Sequence, residues 1–93
     1  MIKTIVTVLG FDKPGIIAKV STLLYECGVN ILDINQTIMQ EYFSMVMLVD
    51  VAPCTVSFHE LKEALSKLEE ELELSILCQH EDIFNSKIGR AHV

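Results

Sequence analysis

The loop Asp12-Lys13-Pro14-Gly15 and a single asparagine, Asn30, are the residues whose types best suit ligand chemistry. Pro14 fits the first turn of a helix, where its missing N–H costs nothing, so the loop should lead into a helix N-terminus. Such a terminus offers unpaired N–H groups to a carboxylate, and Gly15 would let a ligand approach the backbone. The Asp12 carboxylate can accept from an ammonium group, while the Asn30 amide both donates and accepts. An α-amino acid requires this combination.

A purely structural role accounts for the same residues. Asp12 and Pro14 are typical of a helix start, and Asn30 is typical of a turn in the chain. A binding site requires more, because the loop and Asn30 must come close in space. We expect them to meet at one end of the sheet, since the helix after the loop carries the chain back to the start of the second strand.

Hydrophobic spacing predicts six elements along the chain. Strands are expected at Ile2–Leu9, Asn30–Met39, Tyr42–Val51 and Leu72–Gln79, with a helix at Pro14–Cys27 that stops at Gly28. A second helix should begin at Ser57, because Ser57 and Glu60 have the spacing of a capping box. The first strand is apolar on both faces, which is typical of a central strand covered on both sides.

The order strand, helix, strand, strand, helix, strand limits the fold. With right-handed crossovers it most simply forms a four-stranded antiparallel sheet with both helices on one face. This is the ferredoxin-like βαββαβ sandwich, an α+β fold. The open face of this sheet is unusually apolar for a surface in water. We therefore expect that face, or an edge strand, to be covered by a second copy in a homodimer.

Composition and charge restrict the class of protein further. The chain has 93 residues, 51% of them hydrophobic, which predicts one small folded domain over 1–85. Seven basic and thirteen acidic residues give a net charge of −6, with no basic cluster to bind a nucleic acid. The longest apolar run, Met45–Val49, is far too short to span a membrane.

The cysteines and the C-terminal residues support two further expectations. Three widely spaced cysteines among apolar neighbours are typical of reduced core residues in a cytoplasmic protein. The last six residues, Ile88–Val93, belong to no predicted element and resemble the translation of a sequencing adapter. We therefore expect residues 86–93 to be a disordered or artefactual tail and give them no function.

Metal binding, RNA recognition and catalysis have weaker support in the sequence. Metal binding by Cys78 and His80, with Cys54 or His59, has one weak Cys-x-His pair where a tetrahedral site needs four ligands. RNA recognition would need stacked aromatics on a basic surface, and Phe43 is more simply a core residue. His59 lacks an evident nucleophile beside it. We expect no catalytic residue, no metal site and no cofactor.

The sequence resembles that of an ACT domain, the small-molecule-sensing module of amino-acid metabolism. The similar segments are Val8–Ile16, Gly28–Ile31, Asp33–Gln36 and Tyr42–Met45, and the resemblance extends over about residues 1–85. It is most similar to the stand-alone single-ACT-domain family, and next to the ACT repeats of the glycine cleavage system transcriptional repressor. The resemblance implies a βαββαβ fold, side-by-side dimers and amino acids bound at the dimer interface.

The resemblance also implies the ligand-binding positions. They are Asp12, Lys13, Pro14 and Gly15 of one subunit, with Asn30 and Ile31 from the second strand of the same or the neighbouring subunit. ACT domains usually regulate an enzyme or DNA-binding domain to which they are joined. This chain contains neither, so the implied partner is a separate enzyme or transcription factor.

Two functions follow as hypotheses. The first is a non-catalytic regulatory module that binds a small amino acid as a homodimer and acts through the ligand's differential affinity for two states. The second is a docking module that binds a larger protein through its apolar sheet face and takes no small molecule. An open polar pocket at the interface favours the first, and a closed apolar surface favours the second.

Overall fold

Six elements follow one another in the computed structural model, which describes residues 1–82. They are β1 (Lys3–Phe11), α1 (Ile16–Glu26), β2 (Asn30–Met39), β3 (Tyr42–Asp50), α2 (Phe58–Leu72) and β4 (Leu74–His80). The predicted order is confirmed, and the bounds of β2 agree at both ends. The expected tail over 86–93 lies outside the described residues. No helix among residues 1–82 is long and apolar enough to cross a membrane.

The four strands form one antiparallel sheet in the order β2-β3-β1-β4. Both helices pack on one face, which confirms the ferredoxin-like fold. Strand β1 extends to Phe11, two residues beyond its predicted end, because Phe11 pairs with Tyr42. The rings of these two residues stack with their centroids 5.6 Å apart. A long-range contact of this kind is not visible in the local hydrophobic pattern.

The core lies between the sheet and the two helices. Alternate residues of β1 and β3 point into it, as Val6, Val8, Met45 and Met47 show, each of them fully buried. Helix α1 contributes Ile16, Val20 and Leu24, and α2 contributes Leu61, Leu65, Leu68 and Leu72. This spacing is that of an amphipathic helix with one apolar face on a sheet.

The other face of the sheet is left open by the chain. The outward residues of β1 are half-buried at Ile5 and Thr7, and Leu9 is 47% exposed. The prediction that β1 is covered on both sides therefore holds only for its helix-facing side within one chain. Strand β1 is central in the sheet, but no element of the described chain lies over its second face.

The helix ends follow local sequence signals. Ser57 caps α2 with the predicted capping box: its Oγ accepts from the Glu60 N–H at 3.1 Å, and the Glu60 carboxylate accepts from the Ser57 N–H at 3.0 Å. Helix α1 begins at Ile16, two residues after Pro14, because Gly15 has a left-handed φ of 86° that interrupts the helix. Gly28 follows the helix with a φ of 79°, as expected of a left-handed stop.

Candidate functional site

A pocket of about 440 Å³ lies between the start of α1 and the second half of β2. Its walls combine the predicted first loop with the inner side of an edge strand. The lining residues are Asp12, Lys13, Gly15, Ile16, Ile17, Ala18, Gln36, Ile38 and Phe43. The pocket therefore has apolar walls with a carboxylate and a side-chain amide at its surface, which is the usual composition of a small-molecule site.

The first turn of α1 faces this pocket without a side-chain cap. Gly15 is the N-cap residue, and no side chain accepts a hydrogen bond there. The first hydrogen bond of the helix runs from the Lys19 N–H to the Gly15 carbonyl at 2.9 Å, so the N–H groups before Lys19 have no intrahelical partner. These N–H groups and the positive end of the helix dipole suit a carboxylate.

The predicted loop is held in place from two sides. The Asp12 N–H donates to the Glu41 carbonyl at 2.7 Å, which ties the loop to the β2–β3 turn. The Lys13 ammonium donates to the carbonyl of Leu72 at the C-terminus of α2. A cation at that negative helix end is favourable. The Lys13 side chain therefore anchors the loop. At the pocket, Asp12 has its carboxylate and Gly15 borders open space.

Asn30 and Ile31 lie at the other end of the sheet. Asn30 pairs with Asp50, which pairs with Lys3 at the start of β1, whereas the loop follows the far end of β1. At about 3.3 Å per residue, the length of β2 puts roughly 30 Å between these two ends. The expectation that the loop and Asn30 meet within one chain is wrong. The reason is that β1 and β2 run parallel, so the end of one and the start of the other are opposite.

Strand β2 is an exposed edge. Only Ile31 is half-buried, and every other residue of the strand is exposed, with Ile34 at 40%, Ile38 at 54% and Met39 at 66%. A bulge at Leu32 interrupts the pairing, so Ile31 and Ile34 both pair with core residues of β3. β2 thus has ten residues of strand edge, five of them apolar, with no partner strand on the outer side within the described residues, and such an edge is a template for pairing with another chain.

Gln36 is a pocket residue that the sequence reasoning missed. It pairs with Met45 on the helix-facing side of β2, between Ile34 and Ile38, and it lines the pocket with Asp12. The signal was present, because Gln36 is the one polar residue at alternate positions from Ile34 to Ile38. The side-chain amide of Gln36 can both donate and accept hydrogen bonds, which is the role predicted from the sequence for Asn30.

The residues that could have served in RNA binding, metal binding or catalysis take part instead in packing and surface contacts. Phe43 is 3% exposed and belongs to the core. The His80 ring stacks on Phe58 with centroids 4.2 Å apart, and its Nδ1 lies 3.2 Å from the Thr4 hydroxyl. His59 pairs with Glu63 on the surface of α2. Within residues 1–82 no three histidine, cysteine or acidic side chains converge as metal ligands.

The three cysteines are free, and burial affects the thiol chemistry of two of them. Burial raises the pKa of the Cys78 thiol to about 11. Burial, with a smaller contribution from the nearby Cys54, also raises the pKa of Cys27. A raised pKa lowers the thiolate fraction at neutral pH and with it the nucleophilicity of the group. Cys27 and Cys78 thus behave as packing residues.

Known proteins share both the sequence and the fold. A UPF0237 protein of Clostridium acetobutylicum is 55% identical over 84 residues, which is 90% of this chain and 94% of the relative. A solved ACT domain protein from Streptococcus pneumoniae is 38% identical, with a TM-score of 0.77 over 89% of this chain and 93% of that one.

A third protein shares the fold at lower identity. It is described as a glycine cleavage system transcriptional repressor, is 24% identical, and has a TM-score of 0.75 over 85% of this chain and 45% of its own. At that identity the likeness concerns the fold alone. The ACT-domain family model matches residues 3–79, from the start of β1 almost to the end of β4. The chain belongs to the ACT-domain family.

Proposed function

We propose that this protein is a non-catalytic regulatory module that binds a small amino acid between two copies of the chain. The observation that carries the proposal is the pocket beside an unpaired strand edge. Asp12 and Gln36 line it together with the uncapped start of α1. The ammonium pairs with Asp12, the carboxylate takes the N–H groups of the first turn of α1, and the side chain lies against Ile17 and Ile38.

A second copy supplies the missing end of the site. Two β2 strands that pair antiparallel about a two-fold axis place the start of one strand beside the end of the other. Asn30 and Ile31 of the second copy then lie next to Met39, at the end of the sheet where Asp12 is bonded to Glu41. The predicted set Asp12, Pro14, Gly15, Asn30 and Ile31 comes together only in this arrangement. Lys13 takes part through its backbone and through the anchoring of the loop.

Regulation follows from a site shared between two copies. A ligand that contacts both copies binds the paired state more tightly than the separate chains, so it shifts the equilibrium toward that state. A partner enzyme or transcription factor that distinguishes the two states is then controlled by the amino-acid concentration, and the coupling is reciprocal. The proposed role of the site is binding alone, so we assign it no reaction.

The docking hypothesis predicts different chemistry at this place. A surface that binds only a larger protein has no need for a carboxylate and an amide around a pocket, or for a helix start without a cap. Their position at a strand edge supports the ligand-binding function over the docking function.

The test is calorimetric titration of the full chain with each of the twenty amino acids, preceded by a thermal-shift screen. A ligand at about 100 times its Kd should stabilise the protein by about 2.7 kcal/mol. For a domain of this size that corresponds to a rise in Tm of roughly 10 °C or more. We expect one small group of amino acids to give this rise. Asp12→Ala, Gln36→Ala and Asn30→Ala should each weaken the affinity for the same amino acid at least tenfold.

Asn35→Ala is the matched control, since Asn35 lies in the middle of β2 and pairs with Val46 on the open face. It should leave the affinity unchanged. Equal affinity in Asp12→Ala and in the wild type would place the site elsewhere. No binding of any amino acid at millimolar concentration would leave the docking function as the better account.

A further inference from the structure

We infer that the open face of the sheet is a second interface between copies of this chain, so that edge-paired dimers stack face to face into a four-chain assembly. The open face is formed by the outward residues of all four strands, with exposed apolar side chains at Leu9, Phe11, Met39, Tyr42, Val46 and Leu77. This inference concerns side chains of the sheet, whereas the ligand site uses the edge of β2. The four-chain assembly rests on the edge pairing proposed above, whereas the face-to-face contact itself does not.

The strand register aligns these side chains into one surface. Leu77 of β4, Thr7 of β1 and Val46 of β3 stand side by side across the middle of the sheet. Phe11 and Tyr42 form a stacked aromatic pair at one end. Because side chains alternate along a strand, all of these point away from the helices, opposite to buried neighbours such as Val6 and Val8.

The distribution of charge favours a second copy as the occupant. The chain has a net charge of −6, so two copies repel unless they meet where charges are absent. From Ile5 to Phe11 on β1, from Tyr42 to Leu48 on β3 and from Ser75 to Gln79 on β4, no outward position holds a charged residue. The charged residues at outward positions, Lys3, Asp33 and Asp50, lie toward the end of the sheet away from Phe11 and Tyr42. The acidic residues of α2, including Glu63, Glu70 and Glu71, lie on the opposite side of the molecule.

The area is that of a stable dimer. With Met39 at the end of β2, six apolar side chains on this face are 39 to 66% exposed. At about 200 Å² for a large side chain, their exposed parts amount to roughly 600 Å². Polar uncharged residues between them, such as Thr7 and Ser44, bring the face close to the roughly 800 Å² that each partner contributes to a standard interface.

An anchoring point is present on the same face. A pocket of about 360 Å³ is lined by the exposed rings of Phe11 and Tyr42, by Leu9 and Ser44, and by Glu73. Aromatic residues next to a pocket are typical of the residues that contribute most to binding. Sheets that pack face to face fill such depressions with the side chains of the opposite sheet.

The experiment is sedimentation equilibrium of the full chain from about 1 to 100 μM. The wild type should reach the mass of four chains. Val46→Lys places a charge in the middle of the open face and should reduce the assembly to two chains. Ile34→Lys, in the middle of the β2 edge, should also leave two chains, and the double variant should be a monomer. Tyr25→Lys, at a side chain 80% exposed on α1, is the control and should leave four chains.

The outcomes separate the two surfaces. Val46→Lys should keep any amino-acid affinity, because the edge pair remains, whereas Ile34→Lys should lose it. A wild type of two chains at 100 μM whose Val46→Lys variant also has two chains, or four chains in Val46→Lys, would overturn the face-to-face interface whatever the ligand result. Leu77→Lys, at a side chain 52% exposed on β4, repeats the test if circular dichroism shows Val46→Lys to be unfolded.

Discussion

Both ends of helix α1 have a glycine with a left-handed backbone conformation, but one glycine is surrounded by open space and the other by packed atoms. Gly15 precedes the helix with a φ of 86°, and Gly28 follows it with a φ of 79°, both in the left-handed region. A methyl group added at Gly15 would meet nothing within 4 Å. At Gly28 it would lie 3.0 Å from the Pro53 carbonyl oxygen and 3.2 Å from the Thr55 nitrogen.

The Gly28 end of α1 is packed against the rest of the fold, whereas the Gly15 end is open to a ligand. Behind Gly28, the Thr55 N–H donates to the Cys27 carbonyl at 2.8 Å, and the Val29 N–H returns to the Leu24 carbonyl at 2.9 Å. Gly15 instead borders the pocket, where the helix start has no side-chain cap. Left-handed glycines alone therefore do not distinguish a fold requirement from a binding requirement. The atoms around them do.

Gly28→Ala should produce the largest loss of stability. The left-handed conformation costs a residue with a Cβ about 1–2 kcal/mol. The contact with a backbone carbonyl should raise the total to about 3 kcal/mol, or a fall in Tm of roughly 10–20 °C, measured by thermal unfolding. Gly28→Asn tests the source of the loss, because asparagine tolerates the conformation but brings the same Cβ contact. Recovery of the wild-type Tm in Gly28→Asn would contradict a contribution from the close contact between an added Cβ and the backbone of Pro53 and Thr55.

Gly15→Ala should cost only about 1 kcal/mol, because the added methyl group meets open space and only the backbone conformation is penalised. Gly15→Asn should recover most of that loss. Thermal unfolding checks the stability, and calorimetry checks the affinity for the amino acid found in the screen. We expect the affinity to fall in Gly15→Ala, since the methyl group enters the pocket. A loss of stability in Gly15→Ala as large as that in Gly28→Ala would contradict the difference in packing between the two ends of α1.

Asp50→Asn should have the smallest effect and should be visible through pH. The N–H groups of Ala52 and Ile2 donate to the Asp50 carboxylate at 3.0 and 2.9 Å, and these bonds lower its pKa below the ordinary 3.8. A lowered pKa stabilises the fold above about pH 4, and this contribution is lost as the pH falls further. The difference in Tm between the wild type and Asp50→Asn should therefore shrink between pH 6 and pH 3.

Glu60 requires a control in that experiment. Hydrogen bonds with Ser57 lower its pKa as well, so it adds its own loss of stability in acid. Glu60→Gln in the same background removes that contribution and leaves the Asp50 effect alone. A Tm difference that stays constant from pH 6 to pH 3 would show that the bonds at Asp50 do not depend on its charge.

Local sequence signals were enough to predict the six elements and some of their ends, although β1, α1 and β4 begin or end a few residues from where they were expected. The capping box of Ser57 and Glu60, the stop at Gly28 and both ends of β2 were predicted because each signal acts over a few neighbouring residues. The α+β fold followed from the element order, since few topologies accommodate it. The loop at Asp12 was also recognised from sequence and lies in a pocket wall.

Which of these residues lie together depends on the pairing of distant strands. The parallel course of β1 and β2 puts Asn30 at the far end of the sheet from Asp12, and the position of β2 at the edge exposes Gln36 beside the pocket. Both facts depend on strand pairing between distant segments, which no local pattern contains. The apolar second face of β1 was likewise visible in the sequence, whereas its exposure in a single chain results from both helices packing on the other side.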